Sequence, residues 1–145
     1  MTKKLILATL AGSVVQYLLG WLIYGLLLGN FMNSHTTHYE GLMKDMNTGS
    51  FMILIFISGL VMSFILSFIF QRWAKFENLL AGLTGGMILG FFIALSYDLS
   101  SLAMENLISV SAMIADVIAN TVVVGIVGAV IAWVLGFKSK AVPAQ

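Results

Sequence analysis

The chain has no cysteine, a single proline and two histidines in 145 residues, and each scarcity removes a class of chemistry. Without cysteine there is no disulfide, thiolate metal site, iron–sulfur cluster or cysteine nucleophile. Charge is scarcer still: only 9% of the residues are Asp, Glu, Lys or Arg, while 60% are apolar. An ordinary soluble domain carries about 25% charged residues, so this chain has too little polar surface to cover a water-facing globule. Its solvent is largely lipid. The net charge is +1 and the seven basic residues are scattered, a pattern that offers no footprint for nucleic acid. Catalytic and phosphate-cradling signatures are also missing: there is no Gly-x-Ser-x-Gly, His-Glu-x-x-His or P-loop. The sequence therefore reads as a single integral membrane domain, 1–145, that is not an enzyme and carries no cofactor.

What the chain does have is four long apolar runs, approximately 5–28, 51–70, 79–97 and 110–136, each able to cross a hydrocarbon core about 30 Å thick as a helix. The first stays uncharged from Leu5 to His35, too long for the core of a cleaved secretory signal, so it reads as a retained span. In lipid every backbone N–H and C=O needs an internal partner, and the runs do not alternate as barrel strands would. The fold class expected is all-α, a four-helix transmembrane bundle. The segment 98–107 has apolar residues at near-helical spacing and reads as a short amphipathic helix lying along the surface. The tail 139–145, with Pro143, is expected to be disordered.

Basic residues give the orientation. Lys3 and Lys4 precede the first run, Arg72 and Lys75 separate the second and third, and Lys138 and Lys140 follow the fourth; only Lys44 falls on the other side. Short cytoplasmic loops collect Lys and Arg, so both termini are expected to be cytoplasmic. Trp73 and Trp133 fall near the same boundary, where indole rings favour the headgroup layer.

Small residues recur every fourth position. Gly82, Gly86, Gly90 and Ala94 make one smooth stripe on the third run, and Gly128, Ala132 and Gly136 another on the fourth. Such stripes let helix backbones approach closely, either inside one bundle or across a homodimer face. A shift of seventy residues aligns Leu10-Ala11-Gly12 with Leu80-Ala81-Gly82 and Leu19-Gly20-Trp21 with Leu89-Gly90-Phe91. Either the chain is a duplicated helical hairpin, with parallel repeats, or these few matches arise by chance in apolar sequence.

Polar residues inside the runs are few. Gln16 falls near the middle of the first, where it needs a hydrogen-bond partner: an interhelical bond or a ligand contact. Asp116 and Asn120 sit one turn apart in the fourth, with Asp98 at the end of the third. Asp116 lies either at the membrane rim or about two turns inside, according to where the fourth helix starts; inside, it marks a cation or proton site. His35 and His38, with Glu40 close by, are a weak candidate metal site in a loop.

The runs Gly20-Trp21-Leu22-Ile23-Tyr24-Gly25 and Tyr97-Asp98-Leu99-Ser100, with Asp116, Gly128 and Trp133, resemble a family of small bacterial four-span inner-membrane proteins of unknown function. The resemblance implies a bacterial inner-membrane location and no activity. Two functions are expected in order: a packing protein, homo-oligomeric or an accessory subunit of a membrane complex, or a small proton- or cation-coupled transporter using Asp116, Asn120, Asp98 and Gln16. The orientation is checked by cysteine labelling, since no native thiol interferes. An impermeant maleimide added outside is expected to reach Asp45→Cys and to miss Lys75→Cys.

Overall fold

The computed structural model describes residues 3–41 and 48–137. Five α-helices are formed in order: α1 (Lys3–Gly20), α2 (Gly29–His35), α3 (Gly49–Ile69), α4 (Leu79–Met104) and α5 (Val110–Gly136). Two π-helical segments join this series, Trp21–Leu27 after α1 and Phe70–Ala74 after α3. Four continuous helical stretches, Lys3–Leu27, Gly49–Ala74, Leu79–Met104 and Val110–Gly136, are long and apolar enough to cross a membrane. The chain is an all-α membrane protein. Expectations that fall on 42–47 and 138–145, among them Lys44, Asp45, Lys138, Lys140 and the 139–145 tail, lie outside the described residues.

Local chemistry sets the helix ends. Asn78 caps α4 by accepting from the Ala81 N–H at 2.8 Å, and Ser109 caps α5 by accepting from Ala112 at 3.2 Å, each meeting one of the unpaired donors of a first turn. The helix that includes α3 closes on Lys75, whose φ of 51° is the left-handed geometry of a helix stop. Lys75 and Phe76 both return their N–H groups to the Phe70 carbonyl. The spans thus run past the limits set by hydropathy. In particular α4 continues to Met104, so 98–107 is no separate surface helix: nothing between Tyr97 and Met104 breaks the backbone, and Asp98 is turned inward.

Two sequential antiparallel hairpins, α1 with α3 and α4 with α5, build the bundle. They meet unequally: α1 packs on α5 as well, while α4 packs extensively on α5 alone, so the two halves do not take equivalent places. Lys4 donates to the Leu135 carbonyl at 3.2 Å, placing the start of α1 beside the end of α5. This end is the terminal side. On the opposite, loop side, Thr37 N–H bonds to Leu107 O at 2.7 Å and Ser109 N–H to His35 O at 3.1 Å, tying the chain after α2 to the α4–α5 turn. The core, centred on Leu66, Phe70, Val127 and Ile131, lies toward the terminal side. Every buried residue of α1 falls between Leu5 and Ser13, and α3 buries nothing before Gly59. Trp73 and Trp133 are exposed on terminal-side turns.

The α4–α5 contact is backbone on backbone. A methyl group built on Gly82 overlaps the Gly128 carbonyl and Ala132 Cβ, one on Gly86 overlaps the Val124 carbonyl, and one on Gly90 lies 2.7 Å from Val124 Cβ. The small-residue stripes are therefore used inside the chain. Gly86→Val is expected to lower stability by about 1–3 kcal/mol or more through overpacking against backbone that cannot move aside. Gly20→Ala, whose methyl meets no described atom within 4 Å, is expected to be neutral or stabilising. Unfolding of both variants in mild detergent separates the two.

Candidate functional site

The glycine stripe of α4 has a fifth member. The buried residues of that helix are Gly82, Gly86, Gly90, Ala94 and Asp98, so a carboxyl occupies the next place on the face that meets α5. Asp98 is only 4% exposed, and among the described residues its Oδ2 has no hydrogen-bond partner. Asp116 on α5 lies near enough for its charge to bear on the Asp98 carboxyl. Asp98 lies six residues before the end of α4 and Asp116 six after the start of α5, each about 9 Å inside its helix from the loop side. Both helices rise about 40 Å, longer than a hydrocarbon core of about 30 Å, so with the excess shared between the ends the pair sits just within the apolar layer.

Asn120, one turn further along α5, organises the acidic pair. Its Nδ2 donates to Asp116 Oδ2 at 2.8 Å and to the Tyr24 hydroxyl oxygen, also at 2.8 Å. The Asn120 amide thus links the Tyr24 hydroxyl to the Asp116 carboxylate. Tyr24 belongs to the π-helical segment Trp21–Leu27, in which the Leu28 N–H reaches five residues back to Ile23 O at 2.7 Å. Such wide turns are rare and frequent at functional sites. Here Tyr24 continues the four-residue spacing of Gly12, Gln16 and Gly20 into this segment, and its phenol meets α5 at Asn120. Two carboxyls, one amide and one phenol, from three helical segments, thus form a continuous polar cluster.

Gln16 stands apart from this cluster. Its Oε1 accepts from Ser63 Oγ at 3.3 Å, an interhelical bond between α1 and α3, and Gly59 lies against its side chain. The histidines do not converge on one point: His35 Nδ1 is 2.9 Å from the Phe31 carbonyl and its ring stacks on Phe31, while His38 Nε2 is 2.9 Å from the Asn33 carbonyl. Among the described residues no group of three or more His, Asp or Glu could hold a metal. Gly82, Gly86, Gly90, Gly128 and Ala132 all lie in the α4–α5 seam that holds the two aspartates together.

The sequence marks Asp98 as a candidate site residue without its place in the seam, and gives Tyr24 no role in the site. The third run is expected to end at 97, although the four-residue spacing through Gly90 and Ala94 points to Asp98 as the next seam residue. Tyr24 shares the four-residue spacing of Gly12, Gln16 and Gly20; what composition does not carry is that its hydroxyl meets Asn120. Comparison with family models, with curated proteins and with solved structures finds no match to this chain.

Removing the organising amide leaves a carboxylate and a phenol short of a donor. Asn120→Leu is expected to cost about 1–3 kcal/mol, as for other buried polar groups stripped of a partner. Thr121→Val is the control, since Thr121 Oγ1 only bonds back to its own helix at Val117 O, and is expected to change stability by less than about 1 kcal/mol. Thermal unfolding of both in the same detergent provides the comparison.

Proposed function

We propose that the chain binds a proton or a small cation at the Asp98–Asp116 pair and uses it in transport across a bacterial inner membrane, without enzymatic chemistry. One observation carries this reading: the Asp98 carboxyl is buried on the α4 face that meets α5, with one oxygen unpartnered among the described residues. It stands about two turns of seam from Gly90, which packs on Asn120, the partner of Asp116. Two negative charges side by side away from water are unfavourable, so such a pair holds a proton or a cation between them. All the side chains present are hard oxygen donors or amide, suited to a proton or an alkali or alkaline-earth cation and not to a soft metal.

The alternative is a packing role, as a homo-oligomer or accessory subunit of a membrane complex; the glycine stripes of α4 and α5 are used within one chain and offer no free face for it. The distribution of basic residues supports both termini on the cytoplasmic side, which puts the aspartates toward the outer surface.

The test uses the full chain in lipid vesicles under an imposed pH gradient, with an internal pH dye. Gradient decay with choline as the only other cation identifies protons, whereas decay that requires sodium or potassium identifies a coupled cation. In either case Asp116→Asn and Asp98→Asn are expected to abolish it while the proteins remain folded and inserted. Wild-type rates in both variants, or no decay by the wild type under any cation, would refute transport at this site.

A further inference from the structure

Below the aspartate pair, polar residues continue toward the terminal side along the inner faces of α1 and α3. We infer that this seam is a proton route joining the Asp98–Asp116 pair to a small polar cavity on the terminal side, an inference that rests on the site reading above. Gly12, Gln16 and Gly20 follow one another at four-residue spacing on α1, and the π-helical turn brings in Tyr24 beyond them. On α3 the same spacing carries Ser63, Ser67 and Gln71, the last in the π-helical extension.

Three observations distinguish this seam from ordinary interhelical bonding. Ser67 is 0% exposed, yet its Oγ has no partner among the described residues, although a serine in a helix readily bonds back to its own backbone. Gly20 lies four residues from both Gln16 and Tyr24 and is only half-buried, and a methyl built there meets no neighbouring atom within 4 Å, so the space between the amide and the phenol is open to water. Gln71 lines a terminal-side cavity of about 170 Å³ that also receives Lys4, Lys75 and Glu77, so the seam ends among charged groups.

The packing selects the proton over a metal cation. Ser63 and Ser67 are both fully buried, and a methyl on Gly12 would come within 2.8 Å of Ile131 Cγ1 and 3.1 Å of Ser63 Oγ. An ion with even part of its hydration shell does not pass there. A proton needs only hydroxyl or water oxygens within hydrogen-bonding reach, each accepting a proton on one side and releasing its own on the other, while the Gln16 and Gln71 amides orient them without passing the proton themselves. Hopping along such a chain leaves every group with its original charge once the chain has reoriented, and no co-reactant is consumed.

The experiment measures proton flux into lipid vesicles with choline as the only other cation, together with carbodiimide modification of the aspartate pair. Gly20→Leu fills the gap and Ser67→Ala removes the unpartnered hydroxyl; each is expected to slow flux by about tenfold or more while carbodiimide labelling stays at the wild-type level. Wild-type flux in both variants overturns the route. Absence of proton flux in the wild type, with carbodiimide labelling intact and lost in Asp98→Asn and Asp116→Asn, overturns the route and leaves the binding site standing. Labelling that those two substitutions do not alter overturns the site reading, and the route with it.

Discussion

The close approach of α4 to α5 is the contact on which the rest of the arrangement depends. In lipid, helices gain little from hiding apolar surface from one another, and association rests on van der Waals fit and on polar contacts. Glycines on both helices let carbonyl oxygens and Cα atoms of one backbone pack on the other, from Gly82 against Gly128 to Gly90 against Val124 and Asn120. The same register that makes this contact possible carries Asp98 to the seam four residues after Ala94. A glycine stripe and a buried carboxyl are therefore parts of one device: the first brings the backbones close, and the second is held beside Asp116 because of it.

The bundle is tight at one end and polar at the other. On the terminal side Leu66, Phe70, Ile131 and Leu135 form a close core around which α1 and α3 fold. Toward the loop side α1 and α3 contribute no buried residue past Ser13 or before Gly59, and the polar cluster takes the place of apolar packing. The loop-side bonds between the His35–Thr37 stretch and Leu107–Ser109 tie the connections together above that cluster. Helices held firmly at one end and joined by polar groups at the other suit a site that must admit and release a small ligand.

Most of the fold was legible in the sequence because lipid imposes a simple rule: long uncharged runs become helices, and small residues every four positions become contact faces. The N-caps Asn78 and Ser109 follow equally simple chemistry. The site was only partly legible. Asp116 and Asn120 stood out as polar residues one turn apart, with Asp98 a candidate beside them, but hydropathy ended the third span at 97, so the place of Asp98 in the glycine seam was not legible. Tyr24 falls on the face of Gly12, Gln16 and Gly20, but what that face meets depended on where α5 came to lie. Gln16 was correctly marked as needing a partner, and which partner it took depended on where α3 came to lie.

The central claim, that Asp98 and Asp116 share a proton or cation inside the bundle, is tested most directly by infrared difference spectroscopy of the lipid-reconstituted chain during a pH titration. A protonated carboxyl away from water gives a carbonyl stretch resolved from those of solvated acids. The account predicts such a band in the wild type, responsive to pH or to added cation, and lost or shifted in both Asp98→Asn and Asp116→Asn. A wild-type spectrum with no titrating carboxyl band that either substitution alters would contradict it.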